Sequence, residues 1–309
     1  MIPQFPKFKP LELGDQSFIH EITKHLPPYS DANFVSLWSW NVQETTKISV
    51  LNGNLVINMP DYLTQKPCYF LCGDKKIEES LHEFYNFNKS QSEQSALILL
   101  VPTEEVEKIK FMDGGEIVED IRNHDYVLSV EQLAVMGGNK WRGKRGHVNR
   151  FKRLYADRYQ VVRLNLLDGE VCDDMRKIFS GWNDKKRQEE DFFENEPRAF
   201  ERLLASVGQL DIVGVGVTID GKLEGFTIIE KVNADFIIIH FEKANTEFVG
   251  IYTFLNQAVA QVAAELGCKF INYEQDLGIA GLEQAKKLYF PVDFLKKYTV
   301  NNYNFSVFS

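Results

Sequence analysis

Residues 212–287 constrain the fold more tightly than any other stretch. Three runs rich in β-branched and aromatic residues, "DIVGVGVTI", "LEGFTIIEKV" and "DFIIIHFEKA", follow one another with only "DGK" and "NAD" at the turns. Links of that kind are tight hairpin turns. The period then changes. From Ile251, apolar residues recur at Phe254, Leu255, Ala258, Val259, Val262, Ala263 and Leu266, the full stripe of an amphipathic helix. Gly250 opens that helix and Gly267 closes it as a C-cap. A strand, "KFINYE", and a last helix, "GLEQAKKLYF", complete the run.

Upstream, "EQLAVM" and "NKWRGKRGHVNRFKRLY" read as helices, "YQVVRLN" as a strand, and "EVCDDMRKIFSGWNDKKRQEE" and "RAFERLLASVG" as two more helices. Helices, three antiparallel strands, a helix, a strand and a last helix is the chain order of the acetyltransferase-like (GNAT) fold. The first half repeats it. Helices at "LGDQSFIHEITKH" and "SDANFVSLWSW" precede the strands "TTKISVL", "NLVINMP" and "PCYFLCG", with "LNGN" as a hairpin signal. A helix "KIEESLHEFYNF", a strand "SALILLV", a helix "TEEVEKIKFM" and a strand near "EIVEDIRNHDYVL" follow. The expected fold class is therefore α/β (α+β): tandem GNAT units with mixed, largely antiparallel sheets, at residues 1–125 and 126–309.

Charge separates the two halves. Residues 1–125 hold 11 basic and 19 acidic side chains, a net of -8, whereas the remainder nets -1. No apolar run approaches the ~20 residues of a membrane span, and the start lacks the layout of a secretory signal. Four scattered cysteines suit buried thiols in a reducing compartment better than disulfides or a metal site. A soluble, cytoplasmic protein without a bound metal is expected.

Two segments carry a density of polar groups that a core does not require. Between Lys140 and Arg153 stand seven basic residues and no acidic one. The cations cover most of the helix circumference, with Trp141 and His147 among them. Such a strip fits a phosphate-rich partner, a solvated helix face being the alternative. Lys140, Arg142, Lys144, Arg145, His147 and Asn149 are the phosphate-binding candidates. In the second segment, "FINYEQDLGIAG", an unbroken strand turns Asn272, Glu274 and Asp276 to one side, just before Gly278. Either this is a solvated strand end or it is the working edge of a site. His240 and Glu242, two apart on the neighbouring strand, share one face on the same logic. Hydrogen-bonded to each other they would suit acid–base work, although a core histidine is the alternative.

The loop between "HFEKA" and the striped helix is where GNAT enzymes cradle the pyrophosphate of coenzyme A. With Gly250 as the central glycine, Glu247 takes the usual cationic position and Tyr252 the small one. Coenzyme A is disfavoured by both, and no cofactor is expected.

Taken together, "GNKWRGKRGHVNRFKR", "HFEKANTEFVGIY" and "INYEQDLGIAGLEQAKKLYFP" resemble a bacterial family similar to the C-terminal domain of phosphatidylglycerol lysyltransferases. That family is built from tandem GNAT units, as are the Fem aminoacyltransferases. Its last segment usually reads Asn-Arg-Glu-x-Asp and then Gly-Leu-Arg. Asn272, Glu274, Asp276, Gly278, Lys286 and Tyr289 match, while Tyr273 and Glu283 stand where the arginines would be. The resemblance implies transfer of an aminoacyl group, with aminoacyl-tRNA as donor, to a hydroxyl or amine on a small molecule or lipid headgroup. On that reading Glu274, Asp276, His240 and Glu242 are the catalytic candidates. Asn272, Lys243, Gly250, Tyr252, Lys286 and Tyr289 bind substrate. A non-catalytic small-molecule or protein-binding module on a degenerate GNAT scaffold is the second reading. An acyl-CoA-dependent N-acyltransferase is the third.

Overall fold

The computed structural model describes residues 1–62, 65–91, 98–109, 116–186 and 195–301. The start of "SALILLV" (95–97), the end of "TEEVEKIKFM" (110–112) and the expected helix end at 187–190 lie outside the described residues. The chain divides into two units. The first comprises Met1–Tyr126, Gln275–Leu288 and Asp293–Ser309, and the second Val127–Glu274 and Tyr289–Val292.

The first unit opens with β1 (Lys9–Pro10), α1 (Gln16–Thr23) and α2 (Phe34–Trp40), then β2 (Lys47–Leu51), β3 (Asn54–Pro60) and β4 (Pro67–Cys72). These four strands form an antiparallel sheet in sequence order. Asn52 and Gly53 join β2 to β3 with φ of 53° and 86°. Two consecutive positive φ values match the twist of a hairpin, which is why Asn-Gly stands there. After α3 (Ile77–Gln91) come β5 (Ile98–Pro102), α4 (Thr103–Ile109) and β6 (Glu116–Glu119).

Passing through β7 (Asp125–Ser129), the chain enters the second unit. There it forms α5 (Val130–Val135), α6 (Arg142–Leu154), β8 (Tyr159–Leu164), α7 (Gly169–Lys186) and α8 (Glu196–Leu204). The three expected hairpin strands are β9 (Ile212–Ile219), β10 (Lys222–Lys231) and β11 (Phe236–Ala244), followed by α9 (Ile251–Glu265) and β12 (Phe270–Asn272). The strand order is β7-β12-β11-β10-β9-β8, antiparallel except for β11 beside β12. That parallel step is the one bridged by a helix, as a crossover requires. Later residues belong again to the first unit, in α10 (Ala280–Lys287), β13 (Asp293–Leu295) and β14 (Lys297–Asn301). β14 pairs with β5 and β6, and its first residue, Lys297, is fully buried against Asp31 and Asp125. Each unit thus runs two helices, three antiparallel strands, a helix and a strand. This is the tandem acetyltransferase-like fold.

One face of the second sheet carries its main core. Leu255, Val259 and Ala263 of α9 pack with Ile229, Ile237, Ile239 and Ile271, and α6 adds Val148 and Phe151. Phe151 stacks on Phe254 at 4.4 Å between ring centroids. Burying each such side chain stabilises the fold by roughly 1.5–3 kcal/mol, so the apolar stripe fixes which side of α9 meets the sheet. The other face carries rings: Phe200 lies on Phe179, Phe226 and Phe241.

β11 does not keep one phase along its length. Phe241 pairs with Ile228 and Ile239 with Ile229, so His240 is an extra residue in the ladder. A bulge of this kind reverses the alternation beyond it. Ile237 and Ile239 face α9, yet Phe241 packs on the Phe200 side and Ala244 returns to the α9 core.

Candidate functional site

Because of that bulge, His240 and Glu242 point to opposite faces of the sheet. An unbroken strand would have kept them together; the extra residue separates them, and each takes its own set of partners.

On the α9 face, Glu242 Oε1 accepts from Asn256 Nδ2 (2.8 Å) and from the Tyr273 hydroxyl (3.3 Å), and Oε2 accepts from the Thr227 hydroxyl (3.2 Å). Burial pushes the Glu242 carboxyl up to about 7; the three donors and nearby Lys243 pull the other way without overcoming it. Lys144 reaches the same place from α6. Its Nζ lies 3.6 Å from the centroid of the Tyr289 ring. Burial lowers the Lys144 ammonium to about 8, a shift that the Glu242 charge opposes. Tyr252, Tyr273 and Tyr289 complete the surroundings, and burial raises all three phenols. Asn256 is 0 % exposed, and its Oδ1 has no hydrogen-bond partner. A carboxylate and an amine that both titrate near neutrality, among aromatic walls, can take up and return protons at physiological pH.

His240 forms a second cluster on the opposite face. Its Nε2 lies 3.1 Å from Glu230 Oε2 and its Nδ1 3.7 Å from Glu274 Oε1. Burial alone would lower its pKa, but the two carboxylates outweigh it and raise it to about 9. His240 is therefore an imidazolium at neutral pH. Lys243, also on this face, is buried and paired with Glu196 at 2.7 Å.

The strand that should carry Asn272, Glu274 and Asp276 ends at Asn272. Asn272 Oδ1 accepts from the Glu274 N–H (2.7 Å), a local turn that competes with strand pairing. Glu274 has φ 55° and Asp276 falls in the first unit. There its carboxylate accepts from the Tyr126 hydroxyl (2.5 Å) and from the Gly278 N–H (2.7 Å). Lys286 is in the same unit, 5.9 Å from the Tyr126 ring.

The basic strip on α6 is not uniform. Lys144 turns inward. Arg145 donates to the carbonyls of Met136 (2.5 Å) and Gly138 (3.0 Å), capping the end of α5, and Lys140 donates to Gln132 (2.7 Å). Arg142, His147, Asn149, Arg150 and Arg153 are exposed. Of the sequence candidates, the second unit gathers Glu242, Lys144, Tyr252 and Tyr289 into one cluster and His240 and Glu274 into another. Asn256, Thr227 and Tyr273 were not among the candidates. Asn256 had a signal: a polar side chain on a helix buried nearly all round, one turn from Tyr252.

Several N–H groups of the loop before α9 are already engaged within the fold. The N–H groups of Glu247, Phe248, Val249 and Ile251 are taken by Asn245, Tyr155 and Phe248. Gly250, at φ 88°, faces the His147 carbonyl, 2.6 Å from where a Cβ would stand. The close packing of α6 on α9 therefore requires a glycine here. The cleft alongside, about 600 Å³, is lined by Asp174, Glu224 and Glu247 as well as by Lys177 and Lys222. Its acids oppose a pyrophosphate. Among the described residues, no group of His, Cys, Asp and Glu could hold a metal ion, and no helix is long and apolar enough to cross a membrane.

Comparison with known proteins agrees with this architecture. Residues 23–301 match the family described as phosphatidylglycerol lysyltransferase, C-terminal. A conserved protein of unknown function from Bacteroides thetaiotaomicron is 26% identical, with a TM-score of 0.83 over 98% of this chain and 100% of its own. The C-terminal domain of a protein assigned as a lysylphosphatidylglycerol synthetase from Agrobacterium fabrum is 13% identical. Its TM-score is 0.64 over 94% of this chain and 92% of its own, a likeness of fold. Among curated proteins, none matches the sequence.

Proposed function

This chain belongs to the phosphatidylglycerol lysyltransferase C-terminal family, and from that premise we propose that it transfers an aminoacyl group from aminoacyl-tRNA to a hydroxyl or amine acceptor. Family membership supports a transferase. The donor and the acceptor class are this reading's own step.

One arrangement carries it: the Glu242 carboxylate is held by Asn256, Thr227 and Tyr273, with the Lys144 ammonium on the Tyr289 ring in its field, and burial moves both groups toward neutrality. An aminoacyl ester is already activated, so the protein need only position the partners, remove a proton and stabilise an oxyanion. Glu242 is the base. It takes the proton of the acceptor O–H or N–H as that atom bonds to the ester carbonyl carbon. The carbonyl oxygen gains the electron pair of the broken π bond, and the Lys144 ammonium offsets the new charge. When the tetrahedral centre collapses, the C–O bond to the ribose breaks. The departing ribose oxygen takes back the proton from Glu242. Asn256 and Thr227 hold the carboxylate in place, and the tyrosine rings shield the centre from water. The exposed arginines of α6 supply the charge that meets the donor's phosphates.

The test is a transfer assay. Aminoacyl-tRNA with a labelled amino acid is incubated with the protein and with amine, glycerol-phosphate and lipid-headgroup acceptors. Label should move to one acceptor class, and Glu242→Gln should reduce that transfer by roughly 10²-fold or more. Retention of tRNA without transfer to any acceptor would favour the binding-module reading instead.

A further inference from the structure

The two titratable clusters lie on opposite faces of one sheet, yet a single dipeptide belongs to both. Tyr273 donates to Glu242 on the α9 face, and the next residue, Glu274, meets His240 on the other. Ile271 and Tyr273 belong to the α9 core, whereas the Glu274 carboxylate meets His240 on the other face. The dipeptide stands where β12 has just ended. Ladder hydrogen bonds no longer fix it.

Its backbone conformation needs an anchor. Glu274 is in the left-handed region at φ 55°, a conformation unfavourable for a residue with a Cβ. Two interactions offset that cost: Asn272 Oδ1 on the Glu274 N–H, and the His240 ring beside the Glu274 carboxylate. His240 is itself held by Glu230, and the bulge opposite Ile228 and Ile229 is what places it and Glu242 on opposite faces.

We propose that His240 and Glu274 are positioning residues: they lock Glu274 in its left-handed conformation and so hold the adjacent Tyr273 hydroxyl on Glu242. The base on one face is tuned by an ion pair on the other. Without the lock, the dipeptide relaxes and Glu242 keeps only two of its three donors.

The proposal concerns the free protein and is tested without substrate, so its failure is separate from failure of the transferase reading. Carbon-13 NMR follows the titration of Glu242, whose other ionisable neighbours are Lys144 from α6, Lys243 on its own strand, Tyr252 from α9, and Tyr289. Tyr273→Phe removes a donor to the charged form and should raise the Glu242 pKa by about half a unit or more. His240→Gln should raise it by the same amount, and so should Glu274→Gly, which keeps the backbone at ease in the left-handed region while deleting the anchor. The double variant Tyr273→Phe/His240→Gln should shift it no further than Tyr273→Phe alone. A purely structural role would lower the melting temperature of His240→Gln and leave Glu242 where it was. If Tyr273→Phe moves the pKa while His240→Gln and Glu274→Gly leave it at the wild-type value, the proposal is overturned.

Discussion

Lys144 holds its ammonium 3.6 Å from the centroid of the Tyr289 ring, in the field of Glu242. A cation over an aromatic face is worth about 2 kcal/mol when desolvated, which helps keep a half-buried lysine charged. The proposed step needs Glu242 as a carboxylate at its start and Lys144 as an ammonium when the oxyanion forms. Glu242 ionises as pH rises through about 7, and Lys144 loses its proton as pH rises through about 8. Turnover should therefore follow a narrow bell with flanks near those values. Replacing Lys144 with methionine should remove the alkaline flank and lower the rate by roughly 10²-fold; a pH–rate profile of the two proteins checks both.

Glu242→Gln should separate activity from stability. The Glu242 pKa in the fold lies above its unfolded value, so the wild type loses stability as pH rises from about 4.5 to about 7. The glutamine does not titrate. Chemical denaturation should find the variant less stable than or equal to wild type at pH 4.5 and more stable at pH 8, with a relative gain of about 1–3 kcal/mol between them. A constant difference across that range would mean that Glu242 carries no burial penalty.

Gly250→Ala should be costly although the position is partly exposed. The residue sits at φ 88°, and an added Cβ would lie 2.6 Å from the His147 carbonyl. Strain and the clash together should lower stability by about 2 kcal/mol or more, displacing α6 from α9 and with it Lys144. Thermal melts measure the loss. Gly143→Ala, in α6 with open space around it, should melt at or above wild type.

Nucleic-acid binding, if it uses α6, should depend on its exposed cations. Arg142→Glu with Arg150→Glu should weaken tRNA binding and flatten the slope of log affinity against log salt by about 0.7–0.9 for each phosphate left without its cation. Arg145→Glu should act differently: its guanidinium caps α5, so the main effect should be a lower melting temperature. Filter binding at several salt concentrations distinguishes the two outcomes.

The striped helix, its glycine boundaries and the hairpin strands were readable from residues 212–287, and the repeated element order from setting them beside the first half, because each follows from a local period or a turn residue. What was not readable is long-range. The bulge at His240 arises from its pairing with β10, and no alternation rule applied to β11 alone reveals it. For the same reason Glu242 was placed beside His240 instead of beside Asn256. The end of β12 is a local event, an asparagine side chain taking the N–H two residues on, but "FINYE" continues the strand pattern and hides it. Lys144 read as one cation among seven, and only the packing of α6 on the core shows that it turns inward.

The titration of Glu242 in the wild-type protein tests the account most directly. Its side chain is identified by comparing carbon-13 carboxyl spectra of wild type and Glu242→Gln, and followed from pH 3 to 10. The account predicts a midpoint near 7, displaced upward by burial in spite of three donors. A midpoint in the ordinary glutamate range, about 4.3, would leave the carboxylate solvated and too weak a base for the proposed step, and would contradict it.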